Sequence, residues 1–371
     1  MRQRLDRSSA VIFGTSITSA YLSGGTMFFR ALVKALVNKG WSVTFVEEHH
    51  SWLGVHTDYK EHQSALTVLQ YRDADELIAL NATHCFLERA DLVLKFSGSS
   101  ISYDRYIDEW VARERITNHW LLVYADMDAP MRMPYIVNHP NFYLHRIVAN
   151  FDSVWVLLGG NRAADDYRAI GARRVLATPV AIDVTAFEPV APAPEYEVDL
   201  LFVGNPAYGR EAGLQRLFFD VAESAPNWKF LLSGADWGGA NLPSNTRYLG
   251  YVPSKTLPQL YSSARLVLNV TREEMAAYGC AAALRLFEAA ACGACIVSDV
   301  WLGLGELFVL EEEILTAHDA DDVIAHLSTI DREQSRKIGA LARARVLREH
   351  SADIRVKEFL SLITELQRER G

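Results

Sequence analysis

The sequence predicts an α/β protein of two domains, each built on a parallel β-sheet. Short apolar runs alternate with helical stretches along the whole chain, and 371 residues are enough for two domains of ordinary size. The proline-rich stretch 179–197 between the halves cannot lie in a helix or in a central strand. We therefore expect one domain at 1–178, a linker at 179–197, a second domain at 198–350 and a final helix at 351–371 that packs on either domain.

The composition excludes several classes of protein. Half of the residues are hydrophobic, 22% are charged, and the formal net charge is −9. A nucleic-acid partner is not expected, because binding to a phosphate backbone calls for a basic face. No apolar run approaches the length of a membrane span, and the first apolar stretch is too short for a signal peptide. We therefore expect a cytoplasmic protein without a membrane span.

The first half begins with a strand–helix–strand unit. AVIFG at 10–14 and WSVTFV at 41–46 are the predicted strands, and the helix between them opens at Gly24 and Gly25. The dinucleotide fingerprint G-x-G-x-x-G is absent after the first strand, which argues against a dehydrogenase. Gly24 and Gly25 would let a sugar or phosphate approach the backbone, although a plain flexible turn explains them as well.

Two later strands of this half end in charged residues. Residues 90–96 include Lys95 near their end, and residues 120–125 run directly into Asp126 and Asp128. The carboxyl ends of parallel strands face the ligand crevice, so Asp126 and Asp128 are candidate catalytic acids and Lys95 is a candidate on the acceptor or sugar side. A capping turn is the alternative role for the two acids. Strands at 153–157 and 173–177, with a helix at 161–170, complete the first sheet.

Neither the histidines nor the cysteines predict a metal or redox site. The histidines between positions 49 and 62 have no helix-face spacing and lie in a predicted loop. Cys292 and Cys295 form a C-x-x-C pattern at the end of a helix, where a thiolate is not stabilised, so we interpret both as small buried hydrophobic residues. We expect neither a metal nor a cofactor.

The second half repeats the α/β pattern and places glycines and arginines after its strands. The strand at 198–203 ends at Gly204 and Asn205, and Arg210 opens the next helix, an arrangement that suits a phosphate. Gly234 follows the next strand. The remaining predicted elements are strands at 230–233, 247–252 and 266–270 and helices at 255–263, 319–327, 332–349 and 352–370.

The most distinctive stretch is LRLFEAAACGACIVSDVWLGLGELF at 284–308, which predicts a helix, a glycine turn and a buried strand. Arg285 stands in the first turn of that helix, where its charge opposes the helix dipole unless an anion is bound there. Glu288, one turn further, could accept hydrogen bonds from two neighbouring ribose hydroxyls. The alternative is a surface ion pair between Arg285 and Glu288.

This stretch resembles the spore-maturation CgeB-like glycosyltransferases. The shared features are R-x-F-E-A-A-A-C-G, a strand ending in S-D, the following G-L-x-x-x-F, and a D-x-D-x-P at Asp126. The resemblance implies the GT-B fold: two Rossmann-like domains whose parallel sheets face a central cleft, with the last helix often packed on the first domain. It also implies metal-independent, hexosyltransferase-like transfer from a nucleotide-diphosphate sugar to a small-molecule or glycan acceptor, in polysaccharide or glycoconjugate biosynthesis.

In the family that this sequence resembles, the residue matching Glu288 holds the ribose, and the backbone matching Tyr251 and Val252 pairs with the nucleobase. Arg272, Tyr278 with Gly279, and Arg285 are similar to the family stretch N-x-(T/N)-R…Y-G…R-x-F-E. The predicted donor-binding residues from both arguments are Glu288, Arg285, Arg272, Arg210, Gly204, Asn205, Gly234, Tyr251, Val252, Tyr278 and Gly279.

The stereochemical outcome stays open at this point. Many retaining relatives carry a second Glu eight residues before the ribose Glu, and Cys280 stands there in this chain. In an inverting enzyme Asp126 or Asp128 would take the acceptor proton, whereas in a retaining enzyme the leaving phosphate would take it. The alternatives to a transferase are a nucleotide-sugar-binding protein without transferase activity and a GT-B sugar-nucleotide epimerase.

Overall fold

The structure is a computed structural model, and its chain divides into two compact units. Unit 1 comprises Met1–Val180 and Ala352–Gly371, and unit 2 comprises Ala181–Ser351. The final helix is therefore part of unit 1, and most of the proline-rich stretch is part of unit 2. The described residues are 8–21, 25–50, 56–59, 64–100, 102–127, 143–158, 160–206, 209–239, 241–279 and 282–370.

Unit 1 contains a seven-stranded sheet in the order β3-β2-β1-β4-β5-β6-β7, and every strand pairing among its described residues is parallel. The register sets Ile12 of β1 between Phe45 of β2 and Leu94 of β4. The strands are Ser9–Phe13 (β1), Ser42–Glu48 (β2), Leu66–Tyr71 (β3), Leu92–Phe96 (β4), Leu121–Asp126 (β5), Ser153–Val156 (β6) and Val175–Ala177 (β7). The helices are Gly25–Asn38 (α1), Ala74–His84 (α2), Asp104–Glu114 (α3), Leu144–Ile147 (α4), Gly160–Ala169 (α5) and the final helix Ala352–Arg370, with a 3₁₀ turn at Val148–Asn150.

The core of unit 1 explains why its central strands read as continuous apolar runs. Every residue of β4 and β5 is buried, as expected for parallel strands that helices cover on both faces. The final helix packs against α1, and its Phe359 stacks on Trp155 of β6 with 4.5 Å between the ring centroids. This helix thus completes a hydrophobic core that the first 180 residues begin.

Unit 2 contains a six-stranded parallel sheet in the order β10-β9-β8-β11-β12-β13. Its strands are Leu200–Val203 (β8), Phe230–Ser233 (β9), Thr246–Tyr248 (β10), Leu266–Asn269 (β11), Ile296–Asp299 (β12) and Leu315–Ala317 (β13). Its helices are Glu211–Leu214 (α6), Asp220–Ser224 (α7), Leu257–Ser263 (α8), Glu273–Tyr278 (α9), Leu284–Ala291 (α10), Leu304–Leu307 (α11), Ala320–Thr329 (α12) and Arg332–Glu349 (α13), with a π-helical turn at Gln215–Phe219 and 3₁₀ turns at Pro194–Tyr196 and Ser254–Thr256. Counting from the first unit, the final helix Ala352–Arg370 is α14.

The α/β class and the two parallel sheets are confirmed, with one notable difference in strand bounds. The strand expected at 247–252 ends at Tyr248, and Gly250 then adopts a left-handed backbone with φ of +73°. Residues 249–253 therefore form a loop beside the sheet rather than its continuation. Among the described residues, no helix combines the length and the apolar character that crossing a membrane requires.

Candidate functional site

The candidate site lies in unit 2, where polar loops follow the carboxyl ends of its parallel strands. Gly204 and Asn205 follow β8, and Gly234 follows β9. The side-chain oxygen of Asn205 accepts a hydrogen bond from the backbone N–H of Ala235 at 2.7 Å, and Trp237 Nε1 donates to the Gly204 carbonyl at 2.7 Å. These bonds hold the two loops together as one rigid wall.

Two glycines in this wall are required by close contacts. Gly234 has φ of +147°, and a Cβ added there would lie 2.2 Å from the carbonyl oxygen of Gly204. A Cβ on Gly204 would lie 2.4 Å from Nη2 of Arg285. Any side chain at either position would therefore displace the backbone or the guanidinium, so this is where only glycine fits.

Arg285, in the first turn of α10, lies against the turn after β8. Its Nη1 donates to Asn269 Oδ1 at 3.2 Å, its Nε donates to the carbonyl of Val203, and the guanidinium lies over the Phe202 ring at 4.7 Å. Desolvation lowers the pKa of Arg285, with Tyr261 and nearby carboxylates acting against that shift. Nη2 makes no hydrogen bond to any described residue, so one edge of the fork is available to a ligand.

Arg210 brings a second guanidinium to the same place. Desolvation, together with the positive charges of Arg285 and Arg272, lowers its pKa to about 9, against the attraction of Asp299 and Glu211. Its Nε is buried with no hydrogen-bond acceptor among the described residues. Within the described part of the chain, none of Arg210, Arg272 and Arg285 makes an ion pair with a carboxylate. Three cations thus converge where a bound anion would relieve their mutual repulsion.

Asp299 is the acidic group within reach of these arginines. The register pairs Asn269 of β11 with Ser298 of β12, which brings Asp299 beside the loop after β11. Its carboxylate accepts hydrogen bonds from the backbone N–H of Thr271 at 3.0 Å and from the Thr271 hydroxyl at 3.0 Å. Desolvation raises the pKa of Asp299, and the hydrogen bonds from Thr271 and Ser298 oppose that shift. The sequence showed Asp299 only as the end of a strand.

Glu288 is buried on α10, with only 6% of its surface exposed. The Tyr261 hydroxyl donates a hydrogen bond to its Oε2 at 3.0 Å. Desolvation raises the pKa of Glu288 to about 7, although the Tyr261 hydrogen bond and the charge of Arg285 lower it. No oxygen of Glu288 lies within ion-pair distance of Arg285, so the alternative of a surface ion pair between them is wrong.

The other predicted donor residues lie on neighbouring loops of unit 2. Tyr251 and Val252 are half-buried in the loop after β10, whose Gly250 carbonyl accepts the backbone N–H of Gly234 at 3.0 Å. Gly279 ends α9 with φ of +90°, directly after the half-buried Tyr278. The structure thus links the loop after β10 to the wall at Gly234 by a backbone hydrogen bond.

Lys95 of unit 1 is buried among protein groups with which it interacts. Its ammonium is fully buried, lies 2.7 Å from a carboxylate oxygen of Asp104 and 2.7 Å from one of Asp108, and donates to the Phe96 carbonyl at 2.8 Å. Desolvation raises the pKa of Asp108 to about 7, with Lys95 acting against it. The ammonium is therefore enclosed by protein groups and has no exposed surface that an acceptor or a sugar could contact. We therefore no longer place Lys95 beside a substrate.

Asp126, the other described candidate in unit 1, is the last residue of β5 and is fully buried. Its backbone carbonyl accepts the N–H of Leu157 at 2.9 Å, which anchors the strand end. Gly25 is the first residue of α1. Gly24, Asp128 and Cys280 lie outside the described residues.

No group of three or more His, Cys, Asp or Glu side chains among the described residues is placed to hold a metal ion. Cys292 and Cys295 are both free and buried, and burial raises the pKa of the Cys295 thiol to about 12. Their environment is that of small hydrophobic side chains.

The comparisons with known proteins agree on the architecture. Residues 210–361 match the family described as "Glycosyl transferase-like". No curated protein sequence matches the chain. Sucrose-phosphate synthase from Thermosynechococcus elongatus has a TM-score of 0.72 and 16% identity, and the match covers 97% of this chain and 100% of that one.

Two further structures are similar over nearly the whole chain. An α-glucosyltransferase in complex with UDP and a 13-mer DNA has a TM-score of 0.70 and 12% identity, covering 96% of this chain and 100% of that one. Anabaena Alr3699/HepE in complex with UDP and glucose has a TM-score of 0.67 and 13% identity, covering 96% of this chain and 100% of that one. The chain therefore has the GT-B fold, with a glycosyl transferase-like match in its second half.

Proposed function

We propose that the protein is a glycosyltransferase that moves a sugar from a nucleotide-diphosphate sugar to an acceptor. The observation that carries the proposal is the proximity of Arg210, Arg272 and Arg285, none of which makes an ion pair to a described carboxylate. Arg285 lies against the turn at Gly204, on the same helix as the buried Glu288. A diphosphate would supply the negative charge for the three arginines, and an attached ribose would supply hydroxyl donors for Glu288.

In the proposed complex the diphosphate lies against the three arginines. Arg285 would donate through Nη2, and Arg210 through its unsatisfied Nε. Arg285 is held in place before the substrate arrives, by Asn269, Phe202 and the Val203 carbonyl. The three arginines would stabilise the negative charge that develops on the leaving diphosphate, and we propose that they do so without a metal.

Glu288 would accept hydrogen bonds from the two ribose hydroxyls, and the backbone at Tyr251 and Val252 would meet the nucleobase. The sugar acceptor would be a small molecule or a glycan. In an inverting reaction Asp126 or Asp128 would remove the acceptor proton, and in a retaining reaction the leaving phosphate would do so. Uridine diphosphate sugars are the first donors to test, because the similar structures of the α-glucosyltransferase and of Anabaena Alr3699/HepE contain UDP.

The test begins with calorimetric titration of UDP and other nucleoside diphosphates into the wild-type protein. E288A should weaken the binding of the preferred nucleotide by about 1.5–3 kcal/mol, the scale of a hydrogen bond to a charged group. The matched control is E312Q, because Glu312 is exposed and its carboxylate makes no hydrogen bond or ion pair with a described residue. Unchanged nucleotide affinity in E288A would contradict the ribose role.

Turnover then separates a transferase from the alternatives. Release of free nucleotide from a sugar nucleotide, accelerated by an acceptor, would support transfer, and D126N should slow that release while it leaves nucleotide affinity unchanged. Nucleotide binding without hydrolysis or transfer for any common donor would favour a binding protein, and an epimerised sugar nucleotide would favour an epimerase. The acceptor screen should include DNA, because one similar structure contains it.

A further inference from the structure

Unit 2 contains a second cavity, which none of the three donor-site arginines lines. Its volume is about 410 Å³, within the range of small-molecule sites. Its walls come from the proline-rich segment at Pro189 and Pro192, the end of α8, the turn after α10 and one face of α13. The cavity is therefore a separate pocket on the same unit.

Arginines dominate this cavity. Arg332, Arg336 and Arg343 lie at helical spacing on one face of α13, and Arg265 faces them from the loop before β11. Gly339 allows this face to come close to the turn after α10, since a Cβ there would lie 2.0 Å from the carbonyl oxygen of Gly293. Four guanidinium groups thus line a single pocket.

The described carboxylates neutralise only part of this charge. Arg332 lies 3.7 Å from Glu197, and Arg265 lies 3.2 Å from Asp199. Arg336 has no hydrogen bond and no ion pair to any described residue, and Arg343 donates to the backbone carbonyl of Ala291. Two cations of the pocket are therefore left without a carboxylate.

Arg265 differs from the other three arginines because its charge is balanced inside the unit, where Nη2 lies 3.2 Å from a carboxylate oxygen of Asp199. The charge that is left for a ligand therefore belongs to Arg336 and Arg343, with Arg332 only weakly paired at 3.7 Å from Glu197. Arg forks prefer planar, multi-oxygen anions such as phosphate esters.

We propose that this pocket is a second anion site, which binds a small phosphate or diphosphate ester. The excess of guanidinium groups selects the charge, and the walls at Pro189, Pro192 and Tyr261 give an apolar surface for the rest of the ligand. Tyr261 also donates a hydrogen bond to Glu288, but none of the arginines of this pocket belongs to the proposed donor site, so the anion site does not depend on the proposed donor function.

The experiment is calorimetric titration of the full chain with two probes, inorganic pyrophosphate and glucose 6-phosphate. These probes distinguish a site that needs only the diphosphate from one that also needs the sugar. A parallel titration uses R285A, which removes an arginine of the proposed donor site and leaves the lining of the pocket unchanged. We expect at least one probe to bind both wild type and R285A.

The variant is R332A/R336A, which removes two exposed arginines of the pocket. It should weaken probe binding at least about tenfold, the combined effect of two charge-assisted hydrogen bonds. The matched control is K337A, because Lys337 lies on the same helix, pairs with Glu333 and does not line the pocket. K337A should bind the probe within about twofold of wild type, a difference too small to represent a lost contact.

Three outcomes would overturn the proposal: neither probe binds at millimolar concentration, R285A abolishes all probe binding, or R332A/R336A binds the probe as tightly as wild type. Thermal unfolding of each variant establishes that it is folded. R285A separates this proposal from the donor proposal, because it should weaken UDP binding at the donor site and keep the probe. A protein that binds the probe through Arg332 and Arg336 but never binds a nucleotide would retain the second site and contradict the donor site.

Discussion

The hydroxyl of Tyr261 and the carboxylate of Glu288 are joined by a hydrogen bond of 3.0 Å inside unit 2. Both side chains are buried, and desolvation raises the pKa of Glu288 to about 7. The carboxylate therefore gains its charge near neutral pH. If Glu288 must be ionised to accept hydrogen bonds from ribose hydroxyls, nucleotide binding should depend on pH in that range.

We predict that nucleotide affinity rises with pH between about 6 and 8. With a pKa of about 7, the ionised fraction of Glu288 increases roughly tenfold across this range, and affinity should follow it. The measurement is the dissociation constant of UDP at several pH values. E288Q is the control, because a glutamine at position 288 cannot ionise. The pH dependence of UDP binding in E288Q then reports the ionisation of UDP itself. Identical profiles for E288Q and wild type would contradict the assignment.

The same shift predicts the sign of a contribution to stability. The pKa of Glu288 is raised from 4.5 to about 7, so the folded protein binds more protons than the unfolded chain between these values. The contribution of this group to the free energy of unfolding is therefore present below about pH 4.5 and decreases as the pH rises to about 7. Urea unfolding at several pH values should show that decrease in wild type relative to E288Q.

Y261F should move the pH profile of nucleotide binding upward. The Tyr261 hydroxyl lowers the pKa of Glu288 by donating a hydrogen bond to it, so removing the hydroxyl should raise that pKa further. Binding should weaken at pH 7 and recover at higher pH. A uniform loss of affinity at all pH values would indicate altered packing instead, and so would contradict the prediction.

G234A should damage the wall of the donor site. The added Cβ would lie 2.2 Å from the Gly204 carbonyl, so the turn must move, at a cost of about 1–3 kcal/mol in the free energy of unfolding. Nucleotide affinity should fall with it. G239A is the matched control, because a Cβ at Gly239 meets nothing within 4 Å. Equal stability and equal UDP affinity for the two variants would contradict the geometry.

K95M tests the structural role of Lys95. It leaves Asp104 and Asp108 without their cation, and breaking such a buried pair costs about 3–5 kcal/mol in the free energy of unfolding. UDP affinity should stay unchanged, because the donor residues are in unit 2. The triple variant K95M/D104N/D108N, which removes the stranded charges, should recover part of the stability. If K95M lost turnover but kept the stability of wild type, a structural role would be contradicted and Lys95 would again be a candidate for contact with the substrate.

Much of the fold could be predicted because central parallel strands are buried on both faces and read as apolar runs. β3 was missed because it lies at the edge of the sheet, where five of its six residues are partly buried or exposed and only Tyr71 is buried. The helix α2 was missed as well, although Asp73 caps it through the backbone N–H of Glu76 and provided a recognisable signal.

The sequence could predict those residues of the candidate site that lie near the ends of strands. Arg210, Arg272 and Arg285 follow or precede strand ends of one sheet, so parallel topology alone brings them together. Tyr261 was missed, because no sequence spacing indicates that a residue 27 positions away reaches Glu288. Lys95 was misplaced because its position beside a strand end does not show the carboxylates of Asp104 and Asp108 across from it.

The membership of α14 in unit 1 has a consequence for biosynthesis. Unit 2 is one continuous segment, so it can fold while the ribosome is still translating, whereas Trp155 must wait for Phe359 until all of unit 2 has emerged. A nascent chain paused at residue 351 would carry a finished unit 2 beside an N-terminal unit with an uncovered apolar surface. Chaperones that recognise such surfaces would bind the N-terminal unit, and they would do so only until α14 has been synthesised.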